Sequence, residues 1–429
     1  MFLDNINIVV LAAGSSTRMN SCFPKVLHKI GNLELVNHIL KTVEKIPVKD
    51  AILVCDKNLE FTNKSNVEIK KVFQNKKLGT GDAVNSAIEH LKKDVTIILY
   101  ADTPLVQPQT LNNLLKKIID EKYDLGLLLF DVKDDNPNYG RVFVDNDKVK
   151  QIIEFNDLEK HNINKNTFGN SGVIIIKNKL LLRYLPLIRN ENSKKEFYLT
   201  DVINFAIKDK KNITYIITDE NEAIGINNRT DLSRAELYFN ERKRKFFLEN
   251  GVTLLDPSTT YFSYDTEIDN DVIIHQNVIF GEGVKIQSGA EILPFCYIEN
   301  ANIGSGAKIG PFARVRNNTN IKSNVEIGNF VELKNSKIHE NVKIKHLSYI
   351  GDTEIKENSN IGAGTITCNF DGIKKHKTFI GENCFIGANN TIIAPLKIGN
   401  NAKTGAGSTI TDDVPENSLA IARCRQENK

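Results

Sequence analysis

The chain has 429 residues, enough for two or three domains with cores of their own, and 25% of them are charged with a formal net charge of only +3. Both signs are interspersed, which excludes the basic stripe of a nucleic-acid-binding surface; the one basic run, "NERKRK" at 240–245, reads as a helix face. Six cysteines lie far apart without a C-x-x-C pair, which argues against a disulfide frame or a cysteine-built zinc site, and no apolar run nears the roughly 20 residues of a membrane span, so a cytoplasmic location is expected.

The first strand signal is "INIVVLAA" (6–13), with Asp4 and Asn5 where a signal peptide would carry basic residues. It runs into "GSSTR" and then, behind Pro24, Lys25. A Gly-rich loop between strand and helix can cradle an anion on free backbone N–H groups. This one fits neither G-x-G-x-x-G nor a Walker loop, and alone it is as readily a plain turn. Arg18 and Lys25 beside it suit a triphosphate, whose charge must be held as it shifts to a leaving pyrophosphate.

Next come a helical pattern (Leu35, Val36, Ile39, Leu40, Val43, Ile46), a strand (51–56), a second helical pattern (Ala83, Val84, Ala87, Ile88, Leu91) and strands at 96–102, 125–132 and 172–177. These strands are continuous Val/Ile/Leu runs, as expected where both faces of a mostly parallel sheet are covered. Residues 1–228 therefore read as an α/β, Rossmann-like domain. Asp102 ends an apolar strand at its carboxyl edge, where α/β sheets bind ligands, and a carboxylate there suits Mg²⁺. The plainer alternative is a turn residue before Pro104.

Residues 229–251 place Leu232, Ala235, Phe239 and Phe246 at helical spacing with Gly251 as a stop, so one long linker helix is expected. From 252 to 429 the period changes to six. Ile268, Ile274, Phe280, Ile286, Ile292 and Ile298 start the count, and after a one-residue slip Ile303, Ile309, Val315, Ile321, Ile327 and Leu333 resume it. It returns at Ile344 and Ile350, at Ile355 and Ile361, and at Ile380, Ile386, Ile392 and Ile398. Such hexads are the mark of a left-handed parallel β-helix with three hexads per coil.

Within the repeats, His346 stands beside a slip in the count with Tyr349 three residues on, and a neutral histidine can take a proton from an attacking amine. His275, His339 and His376 read as ordinary surface histidines. The interruption "TCNFDGIKKHK" (367–377) carries Lys374, Lys375 and Lys377, either ligands for phosphates or a solvated charge run. Cys368 and Cys384 suggest a covalent acyl-enzyme, but direct attack by an amine needs none.

The motifs "LAAG-x-x-TRM-x5-PK", "LGTGDA", "LYADTPL", "YGRV", "IIEF", "GNSG" and "GINNR" resemble, in order and spacing, those of nucleoside-diphosphate-sugar pyrophosphorylases. With the β-helix, the resemblance is to the family of bifunctional N-acetylglucosamine-1-phosphate uridyltransferase/glucosamine-1-phosphate acetyltransferases, over nearly the whole chain. It implies that UTP or UDP-sugar is held by Leu11, Ala12, Ala13, Gly14, Lys25, Gln74, Gly79, Thr80, Tyr100, Asp102, Gly140, Glu154, Asn170 and Asn227, with Arg18 and Lys25 catalytic. Asp102 and Asn227 (or else Asn228) would bind one or two Mg²⁺ ions. In the repeats His346 would be the general base, Arg316, Lys334, Tyr349 and Asn360 the sugar-phosphate site, and Ala363, Asn369, Phe370, Ala388, Ala406 and Arg423 the acetyl-CoA site. Phe370 and Ala388 depart from the family's usual Tyr and Ser. Implied partners are UTP, acetyl-CoA, glucosamine 1-phosphate, N-acetylglucosamine 1-phosphate and two further copies in a homotrimer, with no nucleic acid and no membrane. Three rivals stand beside this: a single-activity pyrophosphorylase on a trimerising β-helix, an enzyme for another base or sugar, and a non-enzymatic repeat scaffold.

Overall fold

The computed structural model describes residues 5–14, 17–132, 139–160 and 167–428. The chain divides into two compact units, Met1–Phe239 and Asn240–Lys429. The division falls inside the helix Arg229–Glu249 expected from its sequence spacing. Ala235 and Phe239 are buried in the first unit and Phe247 in the second. Phe246, counted above on the apolar stripe, is instead 55% exposed: the inward position is one residue later, and Phe247 packs on Phe262 at 4.8 Å between ring centroids.

The first unit is built on a nine-stranded sheet. Its main path runs Ile213–Thr218, Leu125–Phe130, Thr167–Lys177, Val95–Tyr100, Ile6–Leu11, Asp50–Cys55, Glu68–Phe73. Every neighbouring pair is parallel except those made by Thr167–Lys177, which is antiparallel to both neighbours. A hairpin of Arg141–Asp145 and Lys148–Ile153 extends the sheet beside Thr167–Gly169. Two apolar clusters cover the sheet, one on each face, which is why the central strands read as unbroken aliphatic runs. The helix expected over 83–91 is shorter, Thr80–Ser86 followed by a 3₁₀ turn at Ile88–His90.

Ile6–Leu11 lies between Val95–Tyr100 and Asp50–Cys55, so the strand order reverses at this point, and crevices for ligands form at the carboxyl ends of such strands. Leu11 pairs with Tyr100 in register, and the Ala101 N–H donates to the Leu11 carbonyl at 2.9 Å. The loops carrying Gly14 and Asp102 therefore leave the sheet side by side. Ser15 and Ser16 of the first loop lie outside the described residues.

The second unit is a left-handed parallel β-helix of three sheets with ten, eight and eight short strands. Ile274 pairs with Ile292 and Ile292 with Ile309, so successive coils take 18 and then 17 residues, and the slip in the hexad count is a coil one residue short. The inward aliphatics form a single continuous core; of those named above only Ile268, at the first coil, is partly exposed. Corners need a left-handed backbone, and Asn277, Asn300, Asn324, Asn341, Asn358 and Asn401 supply it with φ between +44° and +58°. Asparagine tolerates that region better than other residues bearing a Cβ, because its short side chain bonds locally. Among the described residues no helix is long and apolar enough to cross a membrane.

Candidate functional sites

In the first unit, a contact between the Lys25 ammonium and the Asp102 carboxylate joins the two loops. Lys25 is almost wholly buried, while the Asp102 side chain is partly open. The Ile226 N–H donates to the Asp102 carbonyl at 2.8 Å, which brings the following residue, Asn227, to the same edge. Arg18 donates to Asn227 Oδ1 at 2.8 Å. Asn228 is engaged elsewhere, since its Oδ1 accepts from the Asp231 N–H at 2.9 Å and Asp231 Oδ2 accepts from the Asn228 N–H at 3.2 Å. This reciprocal pair caps the helix Arg229–Glu249. Of the two asparagines, Asn227 is therefore the one at the edge beside Arg18 and Asp102. The donor set fits Mg²⁺: one carboxylate and one amide oxygen are few protein ligands, and two cations beside them leave room for phosphate oxygens.

A cavity of 570 Å³ runs from this edge, lined by Gly14, Pro24, Lys25, Gln74 and Lys77 among others. Gln74 is buried and donates to Asp82 Oδ2 at 2.8 Å and to the Gly79 carbonyl at 3.2 Å. Gly79 has φ +116°, and a Cβ there would sit 2.6 Å from the Phe197 carbonyl oxygen, so only glycine fits. Thr80 Oγ1 accepts from the Leu199 N–H at 3.0 Å.

Glu154, Gly140 and Asn170 come from the hairpin and the strand it joins. The Asn170 N–H donates to the Gly140 carbonyl at 3.0 Å. Thr200 Oγ1 donates to Glu154 Oε1 at 2.9 Å. Burial pushes the Glu154 carboxyl above its ordinary pKa, more than Thr200 and Lys194 pull it down. Burial, and then the Glu154 charge, likewise keep the Tyr100 phenol protonated well above its usual range. Gly172 (φ +85°) lies against the Tyr100 ring, 2.8 Å from where its Cβ would be. Leu11, Ala12 and Ala13 are buried at the strand end.

In the second unit the ladder does the positioning. Arg316 pairs in register with Lys334, and Lys334 with Gly351. Arg316 Nε donates to Glu332 Oε1 at 2.7 Å, which fixes its guanidinium. Lys334 is buried, and its pKa is lowered, first by the facing Lys375 ammonium and then by desolvation. Lys375 itself is exposed on the hairpin that interrupts the repeats. Three cations gathered this way make a strong anion site. Asp352 balances part of the charge, accepting from Asn335 at 2.5 Å and also from Asn369.

His346 is exposed, and Asn329, its in-register partner, holds it: Nδ1 lies 2.7 Å from Asn329 Oδ1. With Nδ1–H donated, Nε2 keeps the free lone pair. Sequence reasoning missed Asn329, although 17 residues before His346 is one coil back. Tyr349 lies in the neighbouring strand, and Asn360 in the next coil of the His346 sheet. Ala363, Ala388 and Ala406 occupy matching positions in successive coils: the Asn389 N–H donates to the Ala363 carbonyl at 2.7 Å and the Gly407 N–H to that of Ala388 at 2.8 Å. Phe370 is 59% exposed, on the hairpin that interrupts the repeats, and Arg423 is exposed near the end of the chain.

The other histidines are not all at the surface. His376 pairs with Asp371 at 2.7 Å within the hairpin and His275 with Glu291 at 3.0 Å. His339 is buried among carboxylates, contrary to its expected place.

Comparison with known proteins agrees with the two-part architecture. Residues 8–142 match the MobA-like NTP transferase domain, residues 377–412 the bacterial transferase hexapeptide (six repeats), and residues 297–371 the GMPPB C-terminal domain. A protein of Wolbachia pipientis wMel named bifunctional protein GlmU is 43% identical over 98% of this chain and 97% of its own length. Proteins of the same name from Bartonella quintana (strain Toulouse) and Paracoccus denitrificans (strain Pd 1222) are 42% and 41% identical, each over 98% of this chain, and over 95% and 94% of their own lengths.

Proposed function

The chain belongs to the GlmU family, and from that premise we propose how its residues divide two reactions between its two units. It is a bifunctional enzyme of UDP-N-acetylglucosamine synthesis, a glucosamine-1-phosphate acetyltransferase and an N-acetylglucosamine-1-phosphate uridyltransferase. The observation that carries the division is that each unit holds its own set of cations: Arg18 and Lys25 at the edge that carries Asp102 and Asn227 in one, Arg316 in register with Lys334 in the unit that carries His346 in the other.

In the second unit, Arg316 and Lys334 hold the phosphate of glucosamine 1-phosphate, with Tyr349 and Asn360 along the sugar. The amine attacks the thioester carbonyl of acetyl-CoA; the C–N bond forms, the C–S bond breaks, and His346 Nε2 takes the proton the amine gives up. The alanine column Ala363, Ala388 and Ala406, with Asn369, Phe370 and Arg423, receives acetyl-CoA. Phe370 and Ala388 lack hydroxyls, so contacts there are apolar.

In the first unit, Gln74, Gly79 and Thr80 read the base, Gly140, Glu154 and Asn170 hold the sugar, and Arg18 and Lys25 take the charge of the triphosphate. The sugar phosphate then attacks the α-phosphate in line and pyrophosphate leaves, a step that depends on positioning and charge neutralisation. Asp102 and Asn227 would hold Mg²⁺, which when bound neutralises phosphate charge. The working form in this reading is a cytoplasmic homotrimer; the hexapeptide repeats support its oligomerisation.

The test is sequential. Acetyl-CoA and glucosamine 1-phosphate without UTP should release free thiol, and pyrophosphate should follow only when UTP and Mg²⁺ are added. No thiol, with pyrophosphate appearing only from N-acetylglucosamine 1-phosphate, would overturn the acetyl half of the reading.

A further inference from the structure

Away from both constellations, His339, Glu340 and Glu357 converge at a corner between two successive coils of the β-helix. Backbone bonds pin the corner: the His339 N–H donates to the Ile355 carbonyl at 2.9 Å and the Asn358 N–H to that of Glu340 at 3.0 Å. We propose that this corner is a divalent transition-metal site of the zinc class, with His339 Nδ1 and one carboxylate oxygen each from Glu340 and Glu357 as ligands and Glu354 as the orienting partner.

Three observations carry it. His339 is nine-tenths buried, and its Nε2 lies 2.9 Å from Glu354 Oε1. A carboxylate there accepts a hydrogen bond from Nε2–H and leaves the lone pair on Nδ1, the arrangement that orients metal-binding histidines. Nδ1 makes no hydrogen bond; it points at Glu357 Oε1, 3.6 Å away, and Glu340 Oε2, 3.9 Å away. All three donor atoms lie within 4.8 Å of one another. Around a tetrahedral zinc such donors are about 3.3 Å apart, a contraction that rotation of two glutamate side chains supplies.

Second, Glu357 Oε2 is buried without a hydrogen-bond partner, a costly state for the carboxylate that faces His339 Nδ1 and one that a cation at the corner would offset. Third, the charges call for a cation. Among the described residues neither Glu340 nor Glu357 has a lysine or arginine within ion-pair distance. The nearby Lys337 and Lys356 are both engaged by Glu354, at 3.6 and 3.0 Å. Histidine nitrogen and carboxylate oxygen are both zinc ligands, and two carboxylates beside a neutral imidazole would balance the charge of a divalent ion. The competing account is a doubly protonated His339 that satisfies the carboxylates itself.

The experiment is calorimetric titration of ZnCl₂ into the chelator-stripped full-length protein, with X-ray absorption at the zinc edge on the loaded sample. The proposal expects one tight ion per chain in a nitrogen/oxygen shell. His339→Gln abolishes that site, Glu340→Gln (an isosteric change at a half-exposed side chain) weakens it, and Glu354→Gln weakens it about 10- to 100-fold. Absence of a stoichiometric site, a sulfur shell drawn from Cys22 or Cys424, or unchanged binding in His339→Gln and Glu340→Gln would overturn it in favour of the imidazolium.

Discussion

The two units bring their cations together by opposite routes. In the α/β unit, Arg18, Lys25, Asp102 and Asn227 are far apart in the chain and meet because crossover connections bring strand ends to one edge. In the β-helix, Arg316 and Lys334 meet because a coil is 18 residues long, and Asn329 reaches His346 because the next is 17. A site built by topology needs a motif to be found, whereas a site built by a repeat can be counted. If the units are separate catalysts, damage to one set of cations should leave the other reaction intact.

The largest effects should come from crossing these sites. Asp102→Ala should abolish uridylyl transfer, measured as pyrophosphate release, and leave thiol release from acetyl-CoA within twofold, on the order of the scatter for a distant site. His346→Ala should cut acetylation by about 10²- to 10⁴-fold, the worth of a general base, and leave uridylyl transfer alone. A folded variant losing both activities would end the comparison. Next in size, Lys334→Met should raise the KM for glucosamine 1-phosphate by about 10- to 100-fold, since a charge-assisted bond is worth roughly 1.5–3 kcal/mol. An unchanged KM would remove Lys334 from the phosphate site.

The same contrast decides what could be read beforehand. Hexads announced the β-helix almost residue by residue, because each inward aliphatic stacks on its counterpart one coil on. In the α/β unit the buried strands were legible, but Glu68–Phe73 at the sheet edge was not: its burial is patchy, so it shows no apolar run. The reversed direction of Thr167–Lys177 was also invisible, since an aliphatic run looks alike in either direction. Phe246 differs from the expected pattern because two adjacent phenylalanines leave the helical phase open by one residue, and only packing shows that Phe247 is the inward one. His339 was misread because a hexad pattern locates inward aliphatics and says nothing of side chains meeting across a corner. Asn227 and Asn228 were separable only by the cap that Asn228 makes with Asp231.

A smaller effect concerns pH, where the units differ in sign. Burial raises the Glu154 pKa in the first unit. A carboxyl raised on folding supports stability below its ordinary pKa and withdraws that support as pH climbs through the raised value. In the second unit, Lys356 and then His339 pull Glu354 from 4.5 down to about 2, so its contribution is present above the ordinary value and is lost as pH falls toward about 2. Glu154→Gln should therefore match the parent at about pH 4 and exceed it in urea midpoint near pH 7, followed by the helical signal, which comes mainly from the first unit. Equal midpoints at both pH values would refute the raised pKa. The same variant should lose sugar binding, a familiar exchange of activity for stability at a strained site.

The smallest effect bears on how the ladder tunes its own catalyst. Asn329 touches no substrate in this scheme; it accepts the Nδ1 proton of His346 and so leaves the basic lone pair on Nε2, so it is a positioning residue. A neutral hydrogen bond is worth about 0.5–1.5 kcal/mol, so Asn329→Ala should lower kcat for acetylation by roughly twofold to tenfold. A drop of that size could also follow from loosening the coil, which makes the pH profile the deciding readout. Asn329→Asp keeps an acceptor at the same place and adds a negative charge, which favours the imidazolium. It should restore most of kcat at high pH and move the acid limb of kcat/KM to higher pH, because His346 then holds its proton longer. A loss equal to that of the alanine variant, with the limb unmoved, would mean that Asn329 only packs the corner and that the tautomer of His346 is set elsewhere.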